Sequence, residues 1–228
     1  MALILNIDTS TSVCSVALAK DGQIIGLKEN NEGSNHSLLL GTYIDELLKE
    51  TGTEISQVDA VAVSIGPGSY TGLRIGVSMA KGLCFGAGKP VIAVGTLQAL
   101  ARSVSDKLQE DALYCPMLDA RRMEVYTAFF DKNNRAVTDT KAEIITPDSF
   151  SDILAKNKVY FFGNGSDKVK TLLTSPQANY LEKIETSAVN MVEIAEQKFT
   201  DKQFEDVAYF EPFYLKDFIA TTPKHNVI

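Results

Sequence analysis

There is no tryptophan in this chain, there are only two histidines, and there is no excess of positive charge. His36 and His225 lie far apart, and neither His-x-x-x-His nor His-Glu-x-x-His occurs, which excludes a metal site built from two locally spaced histidines. Cysteine is scarce too. Cys14, Cys84 and Cys115 are widely separated and form no Cys-x-x-Cys pair, so neither a disulfide framework nor a zinc knuckle is expected, and a reduced cytoplasmic location is. With 22 Lys and Arg against 29 Asp and Glu, the net charge is −7. That disfavours a stand-alone nucleic-acid binder but leaves open work on RNA beside a basic partner. No apolar run approaches bilayer length, so no membrane partner is expected. The first run, Leu3 to Asp8, has no basic start and is broken by its carboxylate, which favours a buried strand over a signal peptide.

What the chain does have is enough apolar residues, 45 % of 228, for one large domain or two small ones. Leu3 to Asp8, Val13 to Ala19 and Gln23 to Lys28 read as three strands, with a hairpin turn at Asp21-Gly22. Asn35 to Glu50 has apolar residues at 38, 39, 40, 44, 47 and 48, the spacing of an amphipathic helix, with Ser34 as its expected N-cap. Strand Val58 to Ile65, helix Thr71 to Gly86, strand Pro90 to Val94 and helix Thr96 to Leu108 follow. The second half repeats this order. Ala112 to Asp119 and Glu124 to Phe130 read as strands, Asp131 to Asn134 as a turn, and Arg135 to Thr138 as the opening of a third strand. Further on, helix Pro147 to Ala155, strand Val159 to Phe162, helix Asp167 to Leu173, a weak strand Ala178 to Ile184 and helix Ser187 to Phe199 are expected.

Asp8 and Asp119 are 111 positions apart, and at the same offset Val13 to Leu18 falls on Glu124 to Phe129 and the first hairpin turn on Asp131 to Asn133. This ungapped register reads as an internal duplication, residues 1–108 and 109–228. Two βββαβαβα halves describe an α/β, ribonuclease H-like fold, the architecture of actin, sugar kinases and Hsp70-type ATPases. Ligands of such open sheets sit beyond the carboxyl ends of strands. Here that is a cleft lined by Asp8-Thr9-Ser10-Thr11 and by Asp119-Ala120-Arg121.

Each candidate carries a chemical and a structural reading. Asp8, Thr9 and Ser10 suit a phosphate and a hydrated cation, or a turn whose side chains cap the backbone. Gly66 and Gly68, in Gly66-Pro67-Gly68-Ser69-Tyr70-Thr71-Gly72, suit a nucleotide cradle at a helix N-terminus. The loop lacks the Walker lysine and is not GxGxxG, so a tight turn is the competing reading. Asp119 and Arg121 suit an anion pair or a strand-end salt bridge. Gly72, Gly76 and Ala80 recur at four-residue steps, a smooth ridge that lets another helix approach, inside the chain or from another subunit.

Taken together, Ile7-Asp8-Thr9-Ser10, His36-Ser37, the stretch from Gly66 to Gly76, Asp119-Ala120-Arg121 and Pro212-Phe213-Tyr214-Leu215-Lys216 resemble the bacterial TsaB (YeaZ) family along the whole chain. The Gly66 to Gly76 stretch is the specific one. Lys216 stands where the family usually has arginine, keeping the charge but not the fork geometry.

The resemblance implies a part in making threonylcarbamoyladenosine at the tRNA adenosine next to the anticodon. It implies a TsaD-like catalytic paralogue and a TsaE-like ATPase as partners, contact with tRNA only through the complex, and a homodimer when alone. It also implies a scaffold or activator with no cofactor and no catalysis of its own. The interface would then include His36, Tyr70, Thr71, Gly72, Arg74, Gly76 and Ala80. TsaD-type chains carry Val-Asn-His-x-x-x-His where this chain has Val94-Gly95-Thr96-Leu97-Gln98-Ala99-Leu100, and leucine ligates no metal. An actin-like ATPase or small-molecule phosphotransferase is the alternative that Asp8 and the glycine turn support. A glycopeptidase-like metallopeptidase would need the missing histidines.

Overall fold

The structure is a computed structural model, and it describes residues 2–33 and 35–215. The expected N-cap Ser34, the second histidine His225 and the departure at Lys216 lie outside the described residues. Leu3–Asp8 (β1), Cys14–Lys20 (β2) and Gln23–Asn30 (β3) form an antiparallel meander. Helix His36–Glu50 (α1) leads to strand Ala60–Gly66 (β4), helix Tyr70–Ala87 (α2), strand Val91–Gly95 (β5) and helix Thr96–Leu108 (α3). β4 and β5 pair parallel to β1 on its other side, giving the order β3-β2-β1-β4-β5.

The second sheet repeats this plan. Leu113–Asp119 (β6) is flanked on one side by antiparallel Glu124–Thr127 (β7) and Lys141–Ile144 (β8). On the other side stand parallel Val159–Phe162 (β9) and Ala178–Tyr180 (β10). The order β8-β7-β6-β9-β10 is strand for strand that of the first sheet. Thus the duplicated α/β plan read from the Asp8/Asp119 register is the observed one.

The helices of the second half are reduced. Ser151–Leu154 (α4) is one turn, and the expected helix from Asp167 is a single 3-10 turn, Asp167–Val169. Thr171, Thr174 and Pro176 give it a poor continuation. The third strand lies at 141–144, not at 135–138. The Asp131 carboxylate accepts from the amides of Asn133 and Arg135 at 2.9 and 2.8 Å and fixes the turn. After the Phe130–Ala136 bridge, the Thr138 hydroxyl takes the Phe129 amide at 3.0 Å, so regular pairing resumes only at Lys141. The last predicted helix begins as a 3-10 turn, Ala188–Met191, and continues as Val192–Thr200 (α5).

Alternation splits the first sheet into two faces. Leu5, Ile7, Val61, Val63 and Val91 pack against α1 and α2. Ile4, Ala60, Ala62, Ile92 and Val94 pack against Met191, Ile194 and Ala195, so α5, from the second half, covers the first sheet. Conversely, Leu97, Leu100, Ala101 and Val104 of α3 pack on Tyr114, Leu118, Phe130, Tyr160 and Phe162 of the second. The sequence halves therefore exchange their closing helices. Residues 205–215 cross back over the first half: Val91 bridges Glu205, Lys81 Nζ donates to the Ala208 and Phe210 carbonyls, and the Phe213 amide donates to Ile65 O at 2.8 Å.

Candidate functional site

Asp8 ends β1 on the face that β1 turns toward α5, and it is 1 % exposed. Its Oδ1 accepts from the Ser10 amide at 2.9 Å, the Ser10 hydroxyl at 2.6 Å and the Ser64 hydroxyl at 2.8 Å. Burial pushes its carboxyl above the ordinary carboxylate value, against the lowering effect of the Ser10 and Ser64 hydrogen bonds. Thr9 and Ser10 are fully buried. The Thr9 hydroxyl donates to Gly72 O at 2.8 Å, and Ser10 O accepts from the Ser69 amide at 2.7 Å.

These bonds decide what the glycine turn does. Ser69 caps α2, its Oγ accepting from the Gly72 amide at 3.2 Å while its carbonyl takes the Leu73 amide. A Cβ at Gly68 would overlap Ser10 O, one at Gly72 would overlap Thr9 O, and one at Gly76 would overlap Thr9 Oγ1. The first turn of α2 is thus laid directly on residues 9 and 10. The Ser10, Ser69 and Gly72 amides are bound within the chain and the turn closes on Thr9 and Ser10, which favours the backbone-capping and tight-turn readings of Asp8, Thr9, Ser10 and Gly68 over an open nucleotide cradle. Gly66 leaves no room for a Cβ, with Phe213 O 2.8 Å from where one would stand, yet with Pro67 and Gly95 it lines a cavity of about 310 Å³ that Phe130 and Thr138 of the second half close.

The interface reading of Gly72, Gly76 and Ala80 is corrected. All three are buried, facing Thr9 and the first sheet, so their small size answers an approach of helix to strand inside the chain. His36 is buried too, and its Nε2 lies 2.8 Å from Thr11 O. Of the residues expected at an interface, Tyr70, Thr71 and Arg74 reach the surface. The Arg74 guanidinium sits 5.5 Å over the Tyr70 ring, and Tyr214 packs on that ring at 4.8 Å.

The outward stripe of α2 was not singled out from the sequence. Ile75, Met79 and Leu83, one helical turn apart, line a groove of about 740 Å³ with Ser37, Tyr70 and Ser78. Leu38, 74 % exposed, and Phe85, 85 % exposed, stand on the same two helices. The signal was present as a second apolar stripe beside Leu73 and Val77, masked by the glycine spacing.

Asp119 and Arg121 are exposed and join neither Asp8 nor the glycine turn. Asp119 pairs with Lys168 and accepts from the Arg121 amide at 3.1 Å; its own amide donates to Asn164 Oδ1 at 2.9 Å. Between the halves, Thr11 and Thr186 share a 2.7 Å hydrogen bond. The crevice of about 30 Å³ there, lined also by Leu118 and Asn164, is the size of a water site.

A model of the TsaD family, "tRNA N6-adenosine threonylcarbamoyltransferase", matches residues 29–224. The TsaB protein of Haemophilus influenzae, a tRNA threonylcarbamoyladenosine biosynthesis protein, is 29 % identical over 94 % of this chain and 93 % of its own. The chain belongs to the TsaB (YeaZ) branch of this family. The solved YeaZ of Pseudomonas aeruginosa superimposes with a TM-score of 0.80 at 28 % identity, over 94 % of this chain and all of that one. A Clostridium difficile dehydratase activator with bound ADPNP shares the fold alone, with a TM-score of 0.52 at 10 % identity over 88 % and 97 % of the two chains.

The sequence resemblance to TsaD-type chains, with their Val-Asn-His-x-x-x-His, implies a metal site held by two histidines. Thr96 and Leu100 occupy the two histidine places, on the first turns of α3. Both are buried, and Leu100 is a core residue against the second sheet. A hydroxyl and an alkyl group do not make a transition-metal donor set, and the described residues contain no cluster of three His, Cys, Asp or Glu side chains able to hold an ion.

Proposed function

We propose that this TsaB-type chain is a non-catalytic subunit of the assembly that adds threonylcarbamoyl to the tRNA adenosine next to the anticodon. The observation that carries the reading is the end-to-end likeness to TsaB proteins. Thr96 and Leu100 in the histidine places, and a glycine turn packed shut on Thr9 and Ser10, support a supporting rather than a catalytic role. The chain pairs with a TsaD-like catalytic paralogue and a TsaE-like ATPase in the cytoplasm, and pairs with itself when alone. The groove between α1 and α2 is the docking face: it is apolar, and the small residues once assigned to an interface face the other way.

Reconstitution tests this. The chain alone leaves tRNA unmodified, and adding it to the paralogue and the ATPase yields threonylcarbamoyladenosine by nucleoside mass spectrometry. Modification by the isolated chain would overturn the reading. For the groove, the variant Ser78→Glu/Gly82→Glu adds two charges at exposed positions, and a side chain at Gly82 meets nothing within 4 Å. Co-elution with the paralogue should be lost while the urea unfolding midpoint holds. Retained co-elution would move the interface elsewhere.

A further inference from the structure

In the first half α2 covers the turn after β1; in the second half its counterpart is only the 3-10 turn Asp167–Val169. In the turn after β6, residues 121–123 are thereby bared at the carboxyl end of the sheet, the edge where open α/β sheets meet ligands. Asp8 is 1 % exposed, whereas its counterpart Asp119 is exposed.

The bared turn presents Arg121 and Arg122. Both are exposed, with φ of +70° and +45°, and they are the only adjacent pair of non-glycine residues in the left-handed region among the described residues. Such a conformation costs about 1–2 kcal/mol per residue. Neither guanidinium has a hydrogen-bond or ion-pair partner among the described residues. The nearby carboxylate does not quench them: Asp119 is bound to Lys168, which also donates to Glu124 O at 2.6 Å. In a chain of net charge −7, two unpaired arginines side by side at a sheet's carboxyl edge are a local exception.

We propose that the Arg121–Arg122 turn contacts phosphates of the RNA backbone when the complex holds its tRNA. The inference rests on the functional reading above, which supplies the RNA. Guanidinium forks match phosphate oxygens, and the contact is sequence-independent. It gives an acidic subunit a share in holding the substrate without a basic face.

The experiment measures tRNA binding by the complex of this chain with its catalytic paralogue across a salt series. Relative to wild type, Arg121→Gln/Arg122→Gln should flatten the slope of log affinity against log salt by about 2. Affinity at physiological salt should weaken about tenfold, with co-elution of the two proteins intact. Arg121→Lys/Arg122→Lys should keep most of the slope, because charge is retained. An unchanged slope and affinity in an intact complex overturns the inference, and so does loss of co-elution, which would make the turn a protein contact. ATP that abolishes the difference between wild type and variant would place a free nucleotide there and also overturn it. If the wild-type pair forms no complex or binds no tRNA, the functional reading fails and takes this inference with it, a result distinct from a pair that binds but ignores the arginines.

Discussion

Asp8 is the one carboxylate buried in the first sheet, and three donors converge on a single one of its oxygens. Its job in the described fold is to tie the end of β1 to Ser64 on β4, next to the glycine turn. Desolvation raises its pKa in the folded state above the ordinary value of 3.8. The folded protein then holds the proton more tightly than the unfolded chain does. The stability linked to that proton is complete below the unfolded pKa and is lost as pH rises through the folded one. Asp8→Asn keeps an oxygen for the three donors and removes the titration. We expect the urea unfolding free energy of the wild type to fall relative to Asp8→Asn as pH rises from about 4, and parallel profiles would refute the assignment.

Helix α2 has two faces with separate duties. Its inner face, Gly72, Gly76 and Ala80, is small because Thr9 and the first sheet lie directly beneath. Gly72→Ala should destabilise the chain by about 1–3 kcal/mol, since the clash is with backbone and cannot be relieved by a rotamer change. Gly86→Ala, on the same helix with nothing within 4 Å, should stabilise it by up to about 1 kcal/mol. Chemical denaturation of the two variants checks both signs. The helix itself was legible as Thr71 to Gly86; the structure adds Ser69 as its cap and Gly88, in left-handed conformation, as its stop. Which way its small residues pointed was not. A four-residue glycine spacing fixes that they share a face but not what the face meets, and Thr9, which Gly72 meets, is 63 residues away in sequence. Asp8 and Gly68 each left two readings open for the same reason. Residue type shows a carboxylate and a flexible backbone, and only the fold shows that each has already been used by the other's neighbours.

At the scale of the whole molecule, the duplication was legible in one number, the 111-residue offset, and the matching strand orders carry it through both sheets. The exchange of α3 and α5 was not, because apolar spacing marks a helix as packed without naming the sheet it packs on. This exchange makes the halves interdependent. Residues 1–108 alone would leave Ala2, Ile4, Ile92 and Val94 uncovered where Met191, Ile194 and Ala195 now lie. We expect that fragment to aggregate or stay unfolded by circular dichroism, and the full chain to unfold in one transition. A fragment 1–108 that folded cooperatively by itself would show the sequence halves to be independent units. The shortened helices of the second half are the remaining departure, and they are what leaves one sheet edge sealed by a helix and its twin open at Arg121 and Arg122.

The two-faced helix has a consequence for anyone wishing to rewire such an assembly. Ile75, Met79 and Leu83 serve both the fold and the groove, lining the groove while packing on the core, but the positions between them do not. Ser78 and Gly82 are exposed, while the scaffold rests on Gly76 and Ala80. On the docking face proposed above, Ser78 and Gly82 are the positions open to change without cost to the core. If that face carries the pairing, new and orthogonal pairings can be written at these two positions by substitution alone, with the backbone that carries them unchanged.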